Sequence, residues 1–341
     1  MSLYKLKELG INKKIGLSAD SISRVITRYL SPHRFYHGID HIRSNQEKIL
    51  ALPGLSRQDK DILLLVNLYH DSVYIPWNPS ESSLELLSAE LFLEDCENKT
   101  TKIAQRIYSI ILATHLGSVS DDPLSVAFNK IDREILYSNS LEELIEWENN
   151  IFKEYQFCPL DTYKSKRIEF LKKFTGENPG LRGLIDYITC KQYRIALYPG
   201  SFNPFHKGHL SVIQKIENKG NFDKVIVARG VNPEKRGNPE NTQDLVEILG
   251  YREVYSYEGF LTKAVIDCQA TAVLRGLRNG YDLNYEINQL RFLEDMGLSV
   301  PVFFVVCDEK YSHISSSAIR SLESIDPKKT NKYIPNYLQI L

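Results

Sequence analysis

Two groups of residues in this chain carry side chains able to do chemistry, and they lie in opposite halves of its 341 residues. In the second half, the apolar run Arg194–Tyr198 leads into Pro199-Gly200-Ser201-Phe202-Asn203-Pro204, and His206-Lys207-Gly208-His209 then opens a helical pattern. A glycine-containing turn between strand and helix lets free backbone N–H groups and a helix N-terminus face an anion. His206 and His209 could each donate to a phosphate oxygen there; they could equally be a capping pair on an ordinary strand-to-helix turn. Lys235 follows the next apolar run, and Arg275-Gly276-Leu277-Arg278 follows a later one, with Asp282, Tyr285 and Glu286 on the helix beyond. Ser315, Ser316 and Ser317 open the last major helical pattern with hydroxyls and unpaired N–H groups, a second phosphate cradle. Each cluster stands at the C-terminal end of an expected strand, where ligands of such sheets sit. Together they describe a site for a phosphorylated ligand.

The first half has a different chemistry. Five of the eight histidines fall within its first 115 residues. His37 and His41 lie four residues apart and can share one helix face. His70-Asp71 forms a dipeptide, His115 follows Thr114, and Asp132 follows Lys130-Ile131. Imidazole and carboxylate suit a divalent metal that activates water. His41, His70, Asp71 and Asp132 would supply four ligands from three helices, as helical bundles do. The competing reading makes His115 a satisfied structural histidine and the dipeptide a coincidence.

Different elements must position the two groups. Asp59–Tyr69, Glu85–Glu94, Lys102–Ala113, Leu141–Tyr155 and Tyr163–Phe174 carry apolar residues at helical spacing. Beyond about residue 190 the runs RIALY, KVIVA, TAVLRG and VPVFFVV alternate with helical segments such as His209–Glu217 and Tyr281–Met296. Buried runs alternating with helices imply a parallel sheet with crossover helices. The chain therefore reads as multidomain: an all-α domain over 1–190, then an α/β Rossmann-like domain over 191–341. The turn-rich segment 175–180 is the best linker candidate by composition, with the boundary itself nearer Lys191. With 42 basic and 43 acidic residues, no global field favours nucleic acid or an anionic membrane. Five scattered cysteines without a C-x-x-C pair argue against a disulfide framework or zinc knuckle and for a reducing compartment. The start MSLYKLKELGINKK lacks the apolar core of a signal peptide, and no apolar run is long enough to span a bilayer. A soluble, cytoplasmic protein is expected.

The stretches YPGSFNPFHKGH, RGLRNGYDLNYE and YSHISSS resemble the nucleotidylyltransferase superfamily and, within it, phosphopantetheine adenylyltransferase, over about residues 192–341. The first stretch is shared across the superfamily; the second selects the phosphopantetheine branch. The resemblance implies in-line transfer of the adenylyl group of ATP to 4′-phosphopantetheine, giving dephospho-coenzyme A and pyrophosphate, with magnesium shared by the phosphates. It makes His209 the transition-state stabiliser and Lys235 and Arg278 the neutralising cations. Ser201, Lys235 and Arg275 would hold the acceptor phosphate, and Leu261 would line the pantetheine arm. Phe202, Ser201, His206, Gly276, Glu286, Tyr311 and Ser315–Ser317 would hold ATP. Asn203, His206 and His313 depart from the branch; G-S-F-N-P with H-x-G-H leans toward nicotinamide or nicotinate mononucleotide adenylyltransferases, which remain the alternative. Such enzymes self-associate, so a homo-oligomer is expected.

Over about residues 15–175, RFYHGIDHI, LYHDSVY, ELLSAE, ILATH, the Asp132 segment and FKEY resemble the HD superfamily of metal-dependent phosphohydrolases. This resemblance implies His41, His70, Asp71 and Asp132 as ligands of a divalent metal, His37 as general acid, and an acidic role for Glu85. Lys130, where an aspartate is usual, favours one metal over two. The alternative is a non-catalytic regulatory or assembly module.

Overall fold

The computed structural model describes residues 3–77, 82–231 and 241–335. The chain divides into two compact units, Met1–Glu154 with Lys164–Thr189 and Tyr155–Tyr163 with Cys190–Ile340.

Up to Cys190 the described chain is helical. Its α-helices are α1 (Gly10–Ile15), α2 (Ala19–Arg28), α3 (Ile39–Ala51), α4 (Arg57–Tyr69), α5 (Leu84–Asp95), α6 (Lys102–Leu112), α7 (Pro123–Asp132), α8 (Leu141–Glu154), α9 (Leu160–Lys172) and α10 (Leu181–Cys190). Local chemistry sets several starts. Ser18, Ser56, Ser83, Thr101 and Asp122 each accept a backbone N–H at the first turn of α2, α4, α5, α6 and α7. Each such cap contributes about 1 kcal/mol. Helix α4 is buried at every position from Asp61 to Tyr69. A helix apolar on all sides belongs at the centre of a bundle, and α4 packs on α1, α3, α5, α6 and α7. The segment 175–180, a linker by composition, is instead a turn between α9 and α10. The Asn178 side chain ties it down by donating to the Leu136 and Ser138 carbonyls and accepting the Gly180 N–H.

The second unit is built on a five-stranded parallel sheet of order β3-β2-β1-β4-β5. Its elements are β1 (Ile195–Gly200), α11 (Lys207–Lys219), β2 (Lys224–Val231), α12 (Asn241–Leu249), β3 (Val254–Glu258), α13 (Leu261–Asp267), β4 (Ala272–Leu277), α14 (Gly280–Asp295), β5 (Val302–Val306) and α15 (Ser316–Glu323). Central strand β1 is buried from Ile195 to Pro199, so it reads as an unbroken apolar run. Edge strand β3, VYSYE, is half-exposed and carries no apolar run, so the sequence does not announce it. Strand order proceeds one way from β1 to β2 and the other way from β1 to β4. The loops after β1 and β4 therefore leave on either side of the switch point, where doubly wound sheets bind ligands.

One buried charge shows why Tyr155–Tyr163 belongs with this unit. Lys224 begins β2 fully buried; its ammonium donates to the Cys158 carbonyl at 2.5 Å and pairs with Glu253 at 2.5 Å. Gln269 adds a bond to Asp161 at 2.8 Å. A buried ammonium without such partners would cost several kcal/mol. Among the described residues, no helix is long and apolar enough to cross a membrane.

Candidate functional site

The turn after β1 is shaped by contacts that tolerate few substitutions. Phe202 adopts φ +46°, a strained conformation for a bulky residue that costs about 1–3 kcal/mol. Packing compensates: its ring lies against Tyr198, Phe205 and His209. Gly200 is required beneath it, because a Cβ there would sit 2.8 Å from the Phe202 ring.

Helix α11 starts with a reciprocal cap. His206 Nδ1 accepts the His209 backbone N–H at 3.4 Å, and His209 Nδ1 accepts the His206 backbone N–H at 3.2 Å. The two rings stack with centroids 3.6 Å apart. Both readings of H-x-G-H are thus present in one geometry. With each Nδ1 occupied as an acceptor, a neutral ring carries its proton on Nε2, leaving that N–H as a donor. Both rings are held neutral: burial, then the charge of Arg278, pushes His206 down to about 4. Burial, His206 and Arg278 push His209 well below the usual histidine range.

This makes a pH prediction. Between about pH 4 and 6.5 the unfolded chain binds a proton that folded His206 refuses, so stability rises with pH across that window. Acidification to about pH 4 should remove roughly 3 kcal/mol through this residue. Thermal unfolding from pH 4 to 7 should show a shallower pH slope for His206→Asn, since asparagine keeps the cap without titrating. An unchanged slope would contradict the assignment.

The other clusters reach the same edge of the sheet. Arg275 and Arg278 flank Gly276 at the end of β4. A side chain at Gly276 would meet the Tyr198 hydroxyl at 2.7 Å, so only glycine fits. Arg278 pairs with Asp282, and Arg275 Nε lies 3.3 Å from Glu286 Oε2. Burial raises the Glu286 carboxyl, with Arg275 opposing. The serine run is partly committed to structure. Ser315 caps α15 by accepting the Ala318 N–H, Ser316 donates to the Pro204 carbonyl at 3.0 Å, and Ser317 accepts from Arg320 at 3.2 Å. Arg320 also donates to the Asn203 carbonyl. Those bonds draw the start of α15 to the turn that carries the histidines, and Tyr311 Cβ stands near Gly208. Ser201 is exposed in that turn, and Leu261 is buried at the start of α13. Lys235 lies outside the described residues.

In the first unit, His41 on α3, His70 at the C-cap of α4 and Asp132 at the end of α7 converge, each offering one donor atom within 4.8 Å of the others. Burial of α4 against α3 and α7 brings them together. Asp132 Oδ1 lies 3.0 Å from His41 Nε2 and 3.2 Å from His70 Nε2, while Asp71 Oδ2 reaches 3.0 Å from His70 Nε2. His70 Nδ1 donates to the Asn67 carbonyl at 2.9 Å. That bond fixes the tautomer and turns Nε2, buried and without a hydrogen-bond partner among the described residues, into the cluster. An orphaned imidazole nitrogen facing two carboxylates is the donor arrangement that a divalent metal satisfies. Burial opposes ionisation of Asp132, yet His70 and His41 hold it well below the usual carboxylate range.

His37 sits beside this group with a partner that sequence reasoning did not assign. Glu154, wholly buried at the end of α8, accepts from His37 Nδ1 at 2.6 Å, from the Tyr36 and His37 backbone N–H groups, and from the Tyr74 hydroxyl. Burial opposes protonation of His37, but Glu154 outweighs it and raises the ring's pKa. The FKEY stretch contained this glutamate; only tertiary structure joins it to His37. Arg34, also missed, donates to the His37, Asp71 and Ser72 carbonyls and braces both ligand-bearing turns. His115 is exposed rather than buried and pairs with Glu85 at 3.3 Å. An open cleft of about 1530 Å³ leads to His41 and Asp132, with Lys48, Lys130 and Arg133 on its wall.

Comparison with known proteins bears on the second unit. The family model described as cytidylyltransferase-like matches residues 197–322. A phosphopantetheine adenylyltransferase of Clostridium perfringens is 36% identical over 148 residues, covering 42% of this chain and 88% of the relative. Proteins of the same description from Clostridium novyi and Mycoplasma capricolum are 31% and 34% identical, covering 42% and 38% of this chain and 96% of each relative. Agreement at that level over nearly the whole of each relative places this chain in the phosphopantetheine adenylyltransferase family, and it is a nucleotidyltransferase.

Proposed function

We propose that the second unit transfers the adenylyl group of ATP to 4′-phosphopantetheine, releasing pyrophosphate and forming dephospho-coenzyme A. The observation that carries the reading is the neutral, Nε2-protonated histidine pair at the start of α11, placed beside Arg278 at the switch point of the sheet. Such a site needs no covalent intermediate: the acceptor phosphate attacks the α-phosphorus in line, and fixed donors and cations meet the charge that develops. His209 stabilises that charge; Arg278 and Lys235 neutralise it. Ser201, Lys235 and Arg275 receive the acceptor phosphate, with Leu261 along its arm. ATP, with its magnesium, engages Phe202, His206, Gly276, Glu286, Tyr311 and the serines 315–317. The names of the relatives support the acceptor. Pyrophosphate release from ATP and magnesium, offered 4′-phosphopantetheine, nicotinamide mononucleotide and nicotinate mononucleotide in parallel, tests it. Turnover with a mononucleotide alone would overturn the acceptor assignment.

For the first unit, the orphaned Nε2 of His70 favours a second activity, metal-dependent hydrolysis of a phosphate ester. His41, His70 and Asp132 would hold one divalent metal, with Asp71 adjoining, and the metal would supply an activated water. His37, whose pKa Glu154 raises against the effect of burial, is placed to donate to a leaving oxygen. We place both activities in one cytoplasmic, self-associating chain whose five cysteines form no disulfide. A phosphatase and phosphodiesterase screen run with and without chelator tests the hydrolysis. No chelator-sensitive turnover would leave the first unit a regulatory module.

A further inference from the structure

Helix α14 has no fully buried residue, yet two of its carboxylates face the two arginines leaving β4. The pairs differ in kind. Glu286 stands 3.3 Å from Arg275, and its buried Oε2 makes no hydrogen bond among the described residues, so it keeps acceptor capacity for a ligand. Asp282 instead accepts three hydrogen bonds from Arg278. Its Oδ2 accepts both the backbone N–H and the Nε–H of Arg278 at 2.8 Å, and Oδ1 accepts from Nη2 at 2.7 Å. Fork-on-fork pairing fixes the plane of a guanidinium as well as its place. It leaves the two Nη1 hydrogens and one on Nη2 free to donate. After burial, the charge of the same Arg278 helps to lower the pKa of both His206 and His209.

We propose that Asp282 is a positioning residue for nucleotidyl transfer: it holds the Arg278 guanidinium in one fixed orientation, with its unpaired edge left to meet the charge of the reaction. A flexible exposed arginine would have to be ordered at each turnover, whereas this one is preset. Three of the carboxylate's acceptor sites are used on that task, so Asp282 acts through Arg278.

The alternative is a structural role, with Asp282 merely stabilising the first turn of α14. Full-length Asp282→Asn, Asp282→Ala, Arg278→Ala and the double variant Asp282→Asn/Arg278→Ala separate the two by initial rates of pyrophosphate release and thermal unfolding. Asp282→Asn should lower kcat on the order of 10- to 100-fold, while KM for ATP changes by less than about threefold. In the double variant the asparagine should add nothing to the loss from Arg278→Ala. A kcat for Asp282→Asn within about twofold of wild type, or losses that multiply in the double variant, would overturn the proposal. Should Asp282→Ala fold poorly, the isosteric asparagine still decides it.

Discussion

Replacing His209 by alanine is expected to slow pyrophosphate release by a factor of about 10²–10³, the usual effect of deleting one preorganised donor aimed at developing charge. The physical basis is the tautomer. Nδ1 is occupied by the His206 backbone N–H, so the deprotonated ring presents Nε2–H and needs no proton from solvent to donate. Burial, His206 and Arg278 keep it deprotonated. The rate should therefore show no acid limb near the ordinary histidine pKa of about 6.5. Part of any loss could come from the cap, worth about 1 kcal/mol, so unfolding temperature is measured alongside. His209→Asn, which can retain an acceptor for the cap, should recover stability but not rate. A variant with near-wild-type kcat, or a wild-type rate that falls through pH 6.5 on acidification, would contradict the neutral-donor role.

The second large effect is expected in the first unit. Purified wild-type protein should retain close to one divalent metal per chain, and His70→Ala or Asp132→Ala should lose it. These two residues contribute the orphaned nitrogen and the carboxylate that lies within 3.2 Å of both histidines. Metal bound to the native state alone stabilises it by about 2.7 kcal/mol at a hundredfold excess over Kd. Chelation should therefore lower the unfolding temperature of wild type and leave His70→Ala unmoved. Elemental analysis and unfolding read this without any substrate. Metal-free wild type whose unfolding ignores both chelator and added metal would remove the centre from consideration. Asp71 should matter less than Asp132, because it approaches His70 alone and lies outside the three-donor group.

How far the sequence reached can be read from particular elements. The largely apolar runs of β1, β2 and β4 announced a parallel sheet because both faces of such strands are covered, and edge strand β5, though half-exposed, was legible because its sequence VFFVV is an apolar run. The apolar spacing of α5, α6, α8 and α9 announced helices because one stripe of each must be buried, while α4 shows apolar residues on every side of its buried half. β3 was not legible: an edge strand needs only part of its surface covered, and Val-Tyr-Ser-Tyr-Glu carries no apolar run. The motif residues of the second half could be singled out since a phosphate site is assembled from local turns, each carrying its own glycine, arginine or serine chemistry.

What the sequence by itself determined is therefore everything encoded at short range: helix and strand type, the strand-to-helix turn with its histidines, and the donors available at each strand end. Tertiary structure alone decided the pairings across long separations. Glu154 reaches His37 across 117 residues, Asp132 meets His41 across 91, and Lys224 finds the Cys158 carbonyl across 66. No local pattern encodes such partners, because nothing in the spacing of a buried glutamate or lysine records which charge it will face. The packing of α4 against α3 and α7, and the order of strands about β1, choose them.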